Sequence, residues 1–188
     1  MTDVKADPRD PRPLIGEPLA LDLLNTRWAG TPVNDLLAEP DGYGIWLASA
    51  GLADRCRTAD PGLTALRETR EVIAGAVQEL CGKGELGAEA VARLNGVLRQ
   101  GRLRRELGPE GPTERVEVDR PEWLASWLAV DDFLDLLDRG ARRIKQCAHE
   151  ACILYFFDTS QNGRRRWCRM AVCGNRAKAA RHYEKARG

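Results

Sequence analysis

The chain has 188 residues, 43% apolar and 30% charged, with a formal net charge of +1, a length that suits one ordinary core or one domain with a small appendage. It contains no low-complexity tract and no long uncharged apolar run, which argues against a disordered chain and against a membrane span. The near-zero charge conceals a split. Met1–Gly140 carries 17 Lys and Arg against 25 Asp and Glu, a formal charge of −8, whereas Ala141–Gly188 carries 12 against 3, or +9.

The opening MTDVKADPRDPRPLIG is charged, proline-rich and lacks the apolar stretch of a secretory signal. Residues 1–15 are therefore expected as a flexible lead-in, and the chain as a cytoplasmic protein in a reducing compartment. PLALDLLNT is a compact apolar segment whose pattern fits helix or strand equally. GYGIWLASAGL predicts a short helix with Trp46 and Leu47 inward, stopped at Gly51. Leu63, Leu66, Arg70, Ile73, Val77 and Leu80 recur at helical intervals, predicting a helix over 61–81 that Gly82 and Gly84 end. A further helix is expected over 88–100, with Val91, Leu94 and Leu98 as its buried stripe.

RLRREL and ERVEVDR, separated by GPEGPT, predict a hairpin. Pro121 fits the first turn of another helix, and Trp123, Leu124, Trp127, Leu128, Phe133, Leu134 and Leu137 supply its apolar surface. Gly140 reads as a hinge, with Ile144 beginning the next strand. The expected fold is α+β: a mainly helical N-terminal domain with a β-hairpin over 16–140, then a small C-terminal unit, hairpin plus helix, over 141–188 that holds four of the cysteines.

Four of the six cysteines form two pairs of equal spacing, Cys147/Cys152 and Cys168/Cys173, separated by fifteen residues. In a reducing compartment such pairs favour a metal over disulfides, and soft thiolates favour zinc. The intervening ILYFFDTSQNGRRRW has an apolar β-prone run, a turn at Asn162-Gly163 and a basic second arm, and so reads as a hairpin folding back on itself. One structural Zn2+ is expected, held by all four sulfurs. Four thiolates leave no open position for a catalytic water; His149 could replace one sulfur, but four cysteines already close the shell, so His149 is expected beside it or at the surface.

These residues carry a resemblance. Cys147 to Arg187, with Asp158-Thr159-Ser160, Arg165-Arg166-Trp167-Cys168 and Cys173-Gly174-Asn175-Arg176, resembles the CGNR zinc-finger family. GEPLALDLLNT (16–26) and LRETREVI (66–73) resemble the ABATE domain that precedes this finger. The resemblance implies a bacterial transcription regulator linked to stress.

Positive charge surrounds the cysteines, with Arg164, Arg165 and Arg166 on the expected hairpin arm and Arg169 inside the second knuckle. GNRAKAARHYEKARG predicts a helix from about Asn175 with Lys178, Arg181, His182 and Lys185 on one face and Ala179, Tyr183 and Ala186 on the other. Zinc binding through four thiolates reduces the segment only from +9 to +7. The excess points to DNA, contacted by Arg164, Arg165, Arg166, Arg169, Arg176, Lys178, Arg181 and Lys185.

In the acidic domain, Asn25, Thr26, Trp28, Arg67 and Arg70 are candidates to line a pocket for a small anionic or aromatic effector. The bland reading gives Asn25 to a turn and the arginines to ion pairs with Glu68 and Glu71. Catalysis is not expected: no phosphate-binding loop or nucleophile–base pair is present, and nothing arranges Asp22 or Asp35 as a hydrolytic pair. The expected activity is therefore a DNA-binding regulator, with an effector- or protein-binding scaffold as the alternative. Homodimerisation stays open, and no membrane partner is expected.

Overall fold

The computed structural model describes residues 6–56 and 60–179. Its core is a set of helices, α1 (Leu19–Leu24), α2 (Gly42–Ser49), α3 (Asp60–Lys83), α4 (Ala88–Leu98) and α5 (Leu124–Gly140). Among the described residues three two-stranded antiparallel sheets are attached: β1 (Arg27–Trp28) with β2 (Asn34–Asp35), β3 (Gly101–Gly108) with β4 (Gly111–Val118), and β5 (Ile144–Gln146) with β6 (Tyr155–Phe157). Among the described residues no helix is long and apolar enough to cross a membrane.

PLALDLLNT resolves into helix. Five of the six residues of α1 are buried, because α1 packs against both α3 and α5 and so needs an apolar surface on nearly every side. Its start is tied to α5, where the Asp132 carboxylate accepts the Ala20 N–H at 2.8 Å. α2 forms as expected, with Trp46 and Leu47 fully buried. Gly51, at φ +70°, lets the Leu52 N–H bond Leu47 O and its own N–H bond Ala48 O, the paired closure of a Schellman turn. α3 runs through Gly82 and stops at Gly84, the residue with positive φ.

α4 is rotated from the expected phase. Ala90, Leu94 and Val97 face inward, while Val91 is 41% exposed and Leu98 only partly covered. The small Ala90 allows α4 to lie close against α3, and a 90/94/97 stripe then covers it better than 91/94/98. The Trp127 Nε1–H on α5 closes the end of α4 by donating to Leu98 O at 3.0 Å. On α5 itself Phe133 and Leu136 are fully buried, whereas Leu134 is exposed.

The expected flexible lead-in is docked over residues 6–15. Arg12 lies buried between Asp10 and Asp22, 2.7 Å from each, and also donates to Asp22 O. Asp22 further accepts the Gly16 N–H and the Trp46 Nε1–H. Leu14 reaches the cysteine cluster.

The second hairpin has a different partner from the expected one. β6 pairs with β5, Ile144 opposite Phe157 and Gln146 opposite Tyr155, and the basic arm Arg164–Trp167 forms no strand. Asp158 is the cause. Its buried carboxylate accepts from Lys145 Nζ, the Ser160 N–H and hydroxyl, and the Arg165 N–H, wrapping 158–165 into a loop around one anion. Burial opposes ionisation of Asp158, yet the hydrogen bonds from Lys145 and Ser160 hold its pKa well below the usual carboxylate range.

Candidate metal centre and cationic surface

Two turns bring the cysteines together. In the first knuckle the Cys152 N–H bonds His149 O, while the Cys147 N–H bonds Leu154 O at the mouth of the β5–β6 hairpin. The second knuckle is a wide turn over Met170–Gly174, closed by the Gly174 N–H on Arg169 O at 3.2 Å. Gly174 packs on the Met170 side chain, and Asn175 secures the turn by donating Nδ2 to Ala171 O at 3.2 Å.

All four sulfurs lie within 4.8 Å of one another. Cys152 Sγ is 3.8 Å from Cys168 Sγ, which is 3.6 Å from Cys173 Sγ. A tetrahedron with zinc–sulfur bonds of about 2.3 Å has sulfur–sulfur edges of about 3.8 Å, so these two edges match one zinc ion, and a small inward movement of the sulfurs closes the wider separations. The donor chemistry agrees. Hydrogen bonding from Cys168 draws the Cys152 thiol down to about 5, and the same contact pushes Cys168 up; burial leads in raising Cys173, to about 11. One thiolate thus forms readily and opposes the next, a conflict that a divalent cation relieves. The Cys168 N–H also points at Cys147 Sγ, 3.4 Å away. The four cysteines and the finger around them fit one structural zinc.

The centre is built onto the helical domain. β5 occupies one edge of β6, and two side chains from GEPLALDLLNT occupy the other. Asn25 Nδ2 donates to Tyr155 O and its Oδ1 accepts the Tyr155 N–H, both at 2.9 Å; Glu17 accepts the Phe157 N–H at 3.0 Å and pairs with Arg165. Burial pushes Glu17 up, against the opposing pull of the Phe157 N–H and Arg165. Phe157 joins the helical core beneath Arg139, whose guanidinium lies 4.5 Å from the ring centre, while Phe156 joins the cysteines.

The basic residues fall into two groups. Arg143, Lys145 and Arg165 hold the finger together: Arg143 donates to Asp158 O and Ser160 O, and Lys145 to Asp158 and Gly163 O. Arg165 donates to Trp167 O and Cys168 O and lies over Phe156, so the structure engages this expected DNA contact internally. Arg164, Arg166, Arg169, Arg176 and Lys178 are exposed, and among the described residues none of the five forms an ion pair. A helical segment covers 175–179, with Ala179 exposed rather than packed. Arg181, His182, Tyr183, Lys185 and Ala186 lie outside the described residues.

Of the expected effector residues, Arg67 and Arg70 line one open cleft together with Arg27, Asp35, Glu68 and Glu71, and Asn25, Thr26 and Trp28 do not. Asn25 is the tie to β6, Thr26 donates to Leu23 O, and Trp28 bridges the two cores. Arg67 donates to Leu37 O. Arg70 is buried; it donates to Thr26 and makes a two-pronged pair with Asp35 at 2.6 and 2.7 Å, while Glu71 is a weaker partner at 3.6 Å. A second cleft beside Arg70 is lined by Arg27, Arg70 and Gln78 of the domain and by Gln146, Ile153 and Tyr155 of the finger.

Sequence reasoning missed Glu17, Arg143 and Lys145. Only the Asp158-Thr159-Ser160 turn signalled the network around them, since a short acid two residues before a serine favours such a side-chain turn.

The fold and its centre define a helical domain that carries a four-sulfur zinc finger at its C-terminal side. The ABATE family model, described as a putative stress-induced transcription regulator, matches residues 17–140, and the CGNR zinc-finger model matches residues 143–186. The chain belongs to the ABATE family and bears a CGNR zinc finger. No curated protein matches it.

Proposed function

We propose that the protein is a transcription regulator that binds duplex DNA through the exposed face of its finger. One contrast carries the reading. The exposed arginines of the β3–β4 hairpin are paired with glutamates, whereas Arg164, Arg166, Arg169, Arg176 and Lys178 of the finger are exposed and, among the described residues, have no acidic partner. Unpaired cations held on a rigid frame are suited to phosphates, which release counterions on contact. Arg165 is excluded from this set because it holds the second knuckle.

Fluorescence anisotropy on labelled duplex DNA across a salt series tests the proposal. If all five cations meet phosphates, log K falls against log salt with a slope of about −4.5, and replacing Arg166 and Arg169 by alanine makes that slope shallower by about 2. Absence of binding at about 50 mM salt, or binding indifferent to salt, overturns it.

Effector control belongs to the same proposal. The cleft beside Arg70 draws its walls from both domain and finger, so a small anion seated there would bear on the finger's placement. Its donors are two guanidiniums and two amides, and the buried Arg70 Nε makes no hydrogen bond among the described residues, its nearest acid being Glu71 at 3.6 Å. We propose a structural and not a catalytic role for the zinc, because four sulfurs close its shell.

A further inference from the structure

The β3–β4 hairpin takes no part in the metal centre or the cationic surface. It stands off the helices, with every residue from Arg102 to Leu107 exposed, Leu103 at 50% and Leu107 at 86%. An isolated two-stranded ribbon is marginal in water, and an open edge is a template for another strand.

The register identifies which edge is open. The Asp119 N–H donates to Gln100 O at 2.8 Å, just beyond the end of the ladder. Counting inward, Arg102/Glu117, Arg104/Arg115 and Glu106/Thr113 are the hydrogen-bonded pairs, so the main-chain groups of Leu103, Arg105 and Leu107 point away from β4. No described residue bonds them on that side. The outward positions of β4 include Pro112, which has no N–H to donate, so that edge is blunted and the β3 edge is not.

The chemistry of this edge fits another copy of itself. Between Gly101 and Val118 four arginines balance four glutamates, an arrangement with no attraction for a polyanion. With two β3 strands antiparallel about a two-fold axis through Arg105, each Leu103 faces Leu107 of the second copy and each Arg104 faces Glu106 of the second copy. Moving the axis to Arg104 would oppose Arg104 to itself and leave Leu103 against an arginine. In the favoured register the single like-charged pair is Arg105 with Arg105, and each is already neutralised by Glu114 at 2.7 Å.

We infer that two copies of the chain associate through their β3 edges, antiparallel and centred on Arg105, to form a four-stranded sheet. The contact is small, so association falls in the micromolar range.

Sedimentation velocity of the zinc-loaded chain from about 10 to about 200 µM tests this, together with Arg105→Pro, which removes an outward N–H from a position that makes no bond to β4. The chain should shift from monomer to dimer with concentration, and the variant should remain monomeric with unchanged circular dichroism. Opposed residues of a hydrogen-bonded pair have Cα atoms about 5.5 Å apart, within disulfide reach. Arg105→Cys should therefore cross-link to itself on mild oxidation, at least tenfold more than Arg104→Cys or the unaltered chain. A monomer at 200 µM, a dimer that persists in Arg105→Pro, or equal cross-linking of both cysteine variants overturns the inference.

Discussion

Replacing Asn25 by alanine tests whether the finger is fastened to the helical domain by side chains that complete the edge of β6. Asn25 is fully buried, and its amide satisfies both main-chain groups of Tyr155 at 2.9 Å. Asn25→Ala leaves that N–H and that carbonyl without their partners, and no neighbouring strand can replace them because β5 already uses the other edge. A buried group deprived of its hydrogen bond costs about 1–3 kcal/mol; Tyr155 is only partly buried, so about 1–1.5 kcal/mol for each group is appropriate, or about 2–3 kcal/mol together. For a chain of this size that lowers the melting temperature by about 4–12 °C. Urea unfolding of the zinc-loaded protein measures the first quantity, and amide exchange at Tyr155 locates it: protection there should fall by about 30- to 150-fold if opening becomes easier by the same free energy. A change under about 0.5 kcal/mol with Tyr155 still protected would refute the reasoning, because the two hydrogen bonds would then contribute nothing net.

Three further outcomes follow from the same geometry. Metal analysis should find one zinc per chain, and Cys168→Ala should abolish it and expose the amides of β5 and β6; an intact, protected hairpin in a metal-free variant would contradict the centre described. Asp158→Asn should destabilise the protein at pH 7. Because the native pKa of Asp158 is depressed, its contribution is complete above the unfolded value and is lost as pH falls, so the gap between variant and parent should narrow below about pH 4. Arg12→Met leaves Asp10 and Asp22 buried without their shared cation, at a cost of about 3–5 kcal/mol near neutral pH. Since burial raises Asp22 toward its neutral form, that cost should shrink in acid, and a denaturation series from pH 4 to pH 7 that shows no such trend would count against the pairing.

What was legible in the sequence was local or chemically distinctive. α2 and α3 end where glycines take positive φ, at Gly51 and Gly84, and a glycine after an apolar periodic run carries that signal by itself. The equal spacing of the cysteine pairs is distinctive for the same reason: few other arrangements need two sulfurs twice at one interval. The misreadings concern choices among similar partners. The stripe of α4 is turned by one position because hydropathy favours Val91 over Ala90, whereas the close approach of α3 favours the smaller side chain. β6 could have paired with the basic arm or with β5, and the buried Asp158 decides by drawing the arm into a loop. Asn25 and Arg70 resembled pocket residues because a polar side chain beside an apolar run has the same sequence signature whether it meets a ligand or the main chain of a segment 130 residues away.

Gly140 has the positive φ that a turn out of α5 requires, yet the chain beyond it is not a loose tether. Successive side chains of β6 point to opposite faces, and this strand uses both: Tyr155 and Phe157 enter the helical core, and Phe156 enters the cysteine cluster. Three aromatic residues therefore belong to two cores at once, with Ile144 of β5 also in the first. The orientation of the finger is consequently a property of the whole fold. That matters for the proposed activity, since the acidic domain carries a formal charge of −8 and the segment that follows it +9, or +7 with zinc bound. At physiological salt the field of each extends about 8 Å, enough for the domain to repel a phosphate backbone that approaches from its own side. Attraction then acts at the exposed cations of the finger, among them Arg164, Arg166, Arg169 and Arg176. Rigid attachment through β6 converts a separation of charge along the chain into a direction of approach, which a freely hinged finger would not possess.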